Sequence, residues 1–370
     1  MQSNRRKTRV VKIGNVFVGY PYPVSIQSMT NTDTKDVKST LAQIKQLCNF
    51  GCQIVRIALP DMKSAKAVKN IIDESPVPII GDIHFDYRIA LESIKSGIHA
   101  LRINPGNIGS EEKVKVIAEA AGIAGIPIRV GANTGSLAKE FQFKKEEIKN
   151  KYKKAEKTAD ALVKSALKQC EILERYLFKN IKVSLKASDV LTTFLAYKKF
   201  ASLTDYPLHL GVTEAGTNFR SSIKSSIGIG SLLMLGIGDT IRVSVTGSPL
   251  EEIKIAQTIL ESVGQREASP EIISCPTCAR TTTNIIGLVN KVETHIEKLK
   301  LKGYKFRPFT LAIMGCAVNG PGEAKEADIG IAGASGKFIL FKKGKILPGL
   351  YTEEKVYVIL KSEIKNYRCK

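Results

Sequence analysis

The chain has 370 residues, more than one hydrophobic core usually organises, so two domains are expected. Hydrophobic residues make up 43% and charged residues 25%, the balance of a folded globular chain and not of a disordered one. Lys and Arg outnumber Asp and Glu by 56 to 35, and the resulting +21 suits anionic partners, but 6% aromatics and no Trp leave little to stack on bases, so a nucleic-acid partner is not expected.

The start, MQSNRRKTRVVKIGN, is basic but lacks the apolar core of a secretory signal. No apolar run is long enough to span a bilayer, so a cytoplasmic protein without a membrane partner is expected. From residue 24 onward, β-rich runs alternate with helical spacings. Strands are predicted over 24–27, 54–59, 77–83, 100–104, 127–133, 181–188, 207–214 and 239–246. Helical patterns between them include 36–50, 64–74, 87–96 and 110–121, with Gly51, Pro76, Gly97, Gly125 and Pro207 at junctions. Such alternation implies parallel βαβ units, and eight of them imply a closed (β/α)8 barrel over residues 1–263. The lysine-rich stretch 143–157 reads as a solvated helical surface.

The polar segment GQREASP, residues 264–270, reads as a linker. Beyond it the texture changes: a helix is predicted over 281–300, β-runs over 309–316 and 328–333, a hairpin over 338–347 around Gly344, and a last helix over 353–365. These make a smaller α+β domain over residues 271–370.

Seven cysteines in such a chain are not expected to form a disulfide framework. Cys48, Cys52 and Cys170 fit core positions, and Cys369 falls in what reads as a frayed tail. Cys275, Cys278 and Cys316 stand apart: Cys275-Pro276-Thr277-Cys278 is followed by Gly315-Cys316 and then Asn319-Gly320-Pro321-Gly322-Glu323, a C-x2-C-x37-C-x6-E spacing. Thiolates suit zinc or an iron–sulfur cluster. Structural zinc takes four Cys or His ligands, and the only His of this domain, His295, sits mid-helix. Three thiolates on a [4Fe–4S] cluster leave one iron open, for which Glu323 is the available carboxylate.

At the C-terminal ends of the predicted barrel strands, where TIM barrels carry their sites, lie Arg56, Arg102, Arg129, Lys186 and Arg242. Asn104, Asn133, His209, Thr213, Glu214 and Ser244 fall in the same zone. Guanidinium forks bind phosphate oxygens pairwise, and five cations with few carboxylates beside them point to a phosphate site. Asp82 and His84 read as a hydrogen-bonded pair shaping the mouth, His209 as a supporting residue and His99 as structural.

The segments CPTC, MGCAVNGPGE, QSMTNT, GDIHFDYRIA, LRINPGNIG, VSLKASD, LHLGVTEAG and SSIGIGSLL resemble the 4-hydroxy-3-methylbut-2-enyl diphosphate synthases, from about residue 7 to the C-terminus. The resemblance implies a TIM barrel joined to a small domain related to sulfite and nitrite reductases. It implies one [4Fe–4S] cluster on Cys275, Cys278 and Cys316, completed by Glu323. Arg56, Arg102, Arg129, Asn133, Lys186, Arg242 and Ser244 match diphosphate-binding positions, and Glu214 matches a carboxylate near the substrate hydroxyls, a candidate proton donor. The implied reaction is reductive opening and dehydroxylation of 2-C-methyl-D-erythritol 2,4-cyclodiphosphate in isoprenoid biosynthesis. Flavodoxin or ferredoxin is the implied electron donor and a head-to-tail homodimer the implied assembly. Departures such as GANTG at 131–135 do not touch the ligands. A methyl transferase on a similar barrel would leave the C-terminal cysteine motif without an electron-transfer task.

Overall fold

A short antiparallel hairpin, β1 (Val11–Ile13) and β2 (Val16–Val18), precedes eight further strands in the computed structural model, which describes residues 5–137, 139–142, 148–268, 270–317 and 324–369. The eight are β3 (Ser25–Met29), β4 (Ile54–Ala58), β5 (Ile79–Asp82), β6 (Ala100–Arg102), β7 (Ile128–Asn133), β8 (Ile181–Lys186), β9 (His209–Leu210) and β10 (Thr240–Ile241). They form one parallel sheet ordered β8-β7-β6-β5-β4-β3-β10-β9. A parallel bridge between Val183 and Leu208 ties β8 to the β9 end and rounds the sheet into a barrel.

The intervening helices are α1 (Val37–Asn49), α2 (Met62–Glu74), α3 (Tyr87–Lys95), α4 (Pro105–Ile108), α5 (Glu111–Ile123), α6 (Lys151–Glu174), α7 (Val190–Leu203), α8 (Asn218–Met234) and α9 (Pro249–Ser262). Side-chain oxygens start many of them: Asp36 accepts from Ser39 N, Asp61 and Ser64 form a reciprocal capping box, and Asp189 accepts from Thr192 N. Their apolar stripes bury Leu41, Ile44, Val68, Ile117, Leu162, Phe200, Ile229 and Ile253 against the barrel. The hairpin packs Val11, Ile13 and Val18 on Ile54, Ile80 and Ala100, at the starts of β4, β5 and β6, and so plugs the N-terminal end of the barrel.

Two predicted strands are much shorter than expected. Runs 207–214 and 239–246 reduce to β9 and β10 because the ladder stops just past Leu210, whose carbonyl accepts from Arg242 N at 3.0 Å. Thr213 N turns to Ala187 O, and Glu214 adopts a left-handed φ of 52°. Helix α6 begins only at Lys151, behind the Asn150 cap, so residues 148–150 are not helical; 143–147 lie outside the described residues.

The chain divides into two compact units, Met1–Arg266 and Glu267–Lys370. The second contains β11 (Glu271–Ser274), α10 (Ile285–Leu301), β12 (Thr310–Met314), β13 (Ile329–Ala334), β14 (Lys337–Lys342), β15 (Lys345–Tyr351) and α11 (Glu353–Asn366). Its sheet runs in sequence order, parallel from β11 to β13 and antiparallel from β13 to β15. Lys343 and Gly344 both take positive φ, the two-residue turn that matches strand twist in a hairpin. Ile285, Leu288, Val292, Val356 and Leu360 from the two helices bury against Leu311, Ile313, Ile329 and Ile331 of the sheet. Cys369 is not in a frayed tail: its N–H donates to Lys305 O at 2.8 Å, beside a Phe306–Arg368 bridge.

Candidate functional site

Strand register decides what the barrel mouth contains. Asp82, Arg102, Arg129 and Lys182 are successive partners across β5, β6, β7 and β8, so their side chains form one inward-facing row. Two pleat repeats higher, Asn133 pairs with Lys186. Asp82, Arg102 and Arg129 of the row line a cavity of about 150 Å³ together with Arg56, His84, Asn133, Ser184, Lys186, Thr213, Arg242 and Ser244. All seven residues predicted to bind diphosphate are brought together there. Gly211 makes room for one of them, since a Cβ would lie 2.5 Å from Lys186 Nζ.

Two carboxylates organise the cations. Asp82 lies 3.0 Å from Arg102 Nη1 and 3.6 Å from Arg56 Nε, with His84 Nε2 also 3.6 Å away. Burial alone would raise the Asp82 carboxyl, but Arg56, His84 and Arg102 outweigh it and hold it well below the usual carboxylate range. Glu252, from α9, holds Arg242 at 3.1 Å and accepts from Ser28 Oγ at 2.8 Å. Among the described residues, Arg129 and Lys186 have no such ion pair. Burial lowers the Arg56 guanidinium to about 10 despite Asp82, with Arg242 and Arg102 adding repulsion. Burial, then Arg129 and Arg242, push Lys186 well below its ordinary value. A set of buried forks with few acceptors of its own is built to receive an anion.

Other predicted residues lie elsewhere. Glu214 is exposed and is not among the lining residues, although Thr213 beside it is. His209 is fully buried beneath the mouth, its Nδ1 2.8 Å from Thr240 Oγ1. Asn104 caps α4 by accepting from Gly106 N at 3.1 Å. His99 Nδ1 accepts from Ile79 N at 3.1 Å.

Sequence reasoning missed Glu252 and Lys182. The signal for Glu252 was present: it interrupts the apolar stripe Pro249, Ile253, Ala256, Leu260 of α9 with a carboxylate that is 5% exposed. Nothing in the local sequence marks Lys182, which is 1% exposed.

In the second unit, Cys275 follows β11 and Cys316 follows β12, at the same ends of two adjacent parallel strands. Cys275 Sγ accepts from Gly315 N at 3.1 Å, which draws the two turns together. Thr281 Oγ1 accepts from Cys278 N at 3.2 Å, and Thr282 N donates to Gly315 O at 3.4 Å, placing the Cys278 turn against the same loop. Backbone and side-chain hydrogen bonds from Arg280 lower the exposed Cys278 thiol. Among the described residues, no three His, Cys, Asp or Glu side chains converge tightly enough for one metal ion. Glu323 lies outside the described residues.

The comparisons with known proteins agree along the chain. Residues 8–257 match the GcpE TIM-barrel domain and residues 271–366 the GcpE protein C-terminal domain. A Clostridium perfringens protein named 4-hydroxy-3-methylbut-2-en-1-yl diphosphate synthase (flavodoxin) is 51% identical, over 97% of this chain and 98% of its own. A Fusobacterium nucleatum protein of the same name is 53% identical over 92% of each chain, and one from Clostridium acetobutylicum is 50% identical over 98% and 99%. With both family domains present in order and half the residues shared with such relatives over nearly the full length, the chain belongs to the GcpE family.

Proposed function

We infer that this protein is a 4-hydroxy-3-methylbut-2-enyl diphosphate synthase that takes electrons from flavodoxin or ferredoxin. The observation that carries the substrate assignment is the cavity of about 150 Å³ into which four arginines and Lys186 converge. The substrate, 2-C-methyl-D-erythritol 2,4-cyclodiphosphate, is a compact dianion. Two electrons and one proton convert it to the open-chain diphosphate and water. The C–O bond to one phosphate breaks, and a neighbouring hydroxyl leaves as water.

Arg56, Arg102, Arg129, Lys186 and Arg242 clamp the diphosphate, with Asn133 and Ser244 as neutral hydrogen-bonding groups. Asp82 and Glu252 hold three of the forks in place, so the clamp is pre-organised and little ordering remains for the ligand to impose. Glu214, on the rim, is assigned the proton delivered to the departing hydroxyl.

The donor set of the second unit fits a [4Fe–4S] cluster better than zinc. Ligands to different irons stand farther apart than the ligands of one ion, and an amide N–H already points at Cys275 Sγ. Cys275, Cys278 and Cys316 would hold the cluster and Glu323 would complete it. When bound, it supplies electrons singly to the substrate. A head-to-tail homodimer, with one subunit's cluster domain serving its partner's barrel, completes the proposal.

The test is anaerobic turnover of the cyclic diphosphate with reduced flavodoxin, alongside iron and sulfide analysis of Cys275→Ser, Cys278→Ser and Cys316→Ser. Substrate-dependent product formation, with cluster content lost in each variant, is expected. Full cluster content in any variant would remove that cysteine from the ligand set, and no turnover by cluster-loaded protein would refute the activity.

A further inference from the structure

The inward row Asp82–Arg102–Arg129–Lys182 contains three cations and one carboxylate. The carboxylate is at the far end from Lys182 and is shared by Arg102 and Arg56. Among the described residues Lys182 finds no hydrogen-bond acceptor for its Nζ, and it is 1% exposed. On its own strand Ser184 and Lys186 follow on the same face and line the cavity, so Lys182 is one pleat repeat, about 6.6 Å, below the lining.

The groups facing it from every side can be named. Arg129 is beside it on β7, Arg56 is across on β4, and Lys186 is above it on β8. His209 on β9 shares the same cationic surroundings. The one carboxylate near it apart from the row, Asp239, is taken up by Arg5 at 3.1 Å and Leu208 N at 2.8 Å. Among the described residues, the ion pairs of Arg56, Arg102 and Arg242 go to Asp82 and Glu252, and Arg129, Lys182 and Lys186 add three more cations to the same surroundings.

We propose that Lys182, beneath the cavity, belongs to the anion site as a proton-accepting residue: it is an uncharged amine in the empty barrel and takes up a proton, with Lys186, when the dianionic cyclic diphosphate is seated. The proposal rests on the substrate assignment above. A lysine that is 1% exposed, beside Arg129 and without an acceptor for its Nζ among the described residues, disfavours the charged form, and burial, then Arg129, lowers it well below its ordinary value. Two anionic charges arriving within about 10 Å, at an effective dielectric constant near 20, raise the amine's proton affinity by roughly two orders of magnitude. The proton comes from solvent through the buffer. Each phosphorus of the cyclic ligand bears a single strongly acidic hydroxyl, so the ligand itself carries no titrating proton near neutral pH.

Calorimetric titration of the oxidised, cluster-loaded protein with the cyclic diphosphate, at pH 8 in two buffers of different ionisation enthalpy, reads the proton count directly. The expected result is a net uptake above one proton per ligand in the wild type, falling by up to one in Lys182→Met. Affinity should weaken by about tenfold per pH unit for each proton taken up as pH rises through the responsive range. Equal binding enthalpies in the two buffers would overturn the proposal without any variant, and undiminished uptake in a folded Lys182→Met would overturn the part given to Lys182. Absence of binding at every pH would overturn both this proposal and the substrate assignment, whereas binding without proton uptake overturns this proposal alone.

Discussion

Arg242 shows how one side chain can serve two masters. It reaches the cavity while its guanidinium is held by Glu252, whose side chain is 6% exposed. Under the proposed function, Arg242→Ala therefore removes a fork of the diphosphate clamp and strands a buried carboxylate. The expected loss of substrate affinity is about 2–4 kcal/mol, with an additional loss of folding stability. Adding Glu252→Gln should restore much of the stability but none of the affinity, which paired denaturation and binding measurements would separate. Lys182 is the opposite case, a buried group whose removal helps the empty fold. Its folded proton affinity is lowered, so the unfolded chain binds more protons and the amine's penalty shrinks as pH rises toward the ordinary lysine value of about 10.4. Lys182→Met should be more stable than the wild type by about 1–3 kcal/mol near neutral pH, with the gap closing toward pH 10 in urea titrations.

At the level of elements, most of the strand and helix order was readable because the junctions carry Gly or Pro and the helices carry caps such as Asp61 and Asp189. What escaped was the length of β9 and β10, since hydrophobicity continues through Val212 and Val243 after the ladder has ended. The arginines that line the cavity were legible because charge inside a predicted strand is rare. The anchor Glu252 was harder to place: its break in the apolar stripe of α9 is visible, but its meeting with Ser28, more than two hundred residues earlier, is encoded by no local pattern. A different element, β13, sets the cysteine turns. A Cβ on Gly333 would lie 2.5 Å from Gly315 O and 2.7 Å from Thr283 Oγ1, backbone and side chain that flank Cys316. Gly333→Ala should purify with a large deficit of iron and sulfide, while cyclic diphosphate binding by the barrel stays within about threefold of wild type.

The whole molecule carries +21, spread largely over exposed lysines that neither the cavity nor the cysteine turns require. Such a field speeds encounter with an acidic redox protein and fades with ionic strength. Turnover limited by reduced flavodoxin should drop several-fold between about 0.05 and 0.5 M salt as the screening length shortens. Turnover limited by a small uncharged reductant should change far less, which stopped-flow reduction would reveal.

The β1–β2 hairpin has a kinetic consequence. Val11, Ile13 and Val18, seated on Ile54, Ile80 and Ala100, cover the N-terminal end of the barrel among the described residues. Reactant and product then share a single doorway. The open-chain diphosphate must vacate the clamp by the route the next cyclic molecule will enter, so the two compete for one vestibule. Accumulated product should act as a purely competitive inhibitor, and turnover at high flux should be governed by how fast the arginines let go.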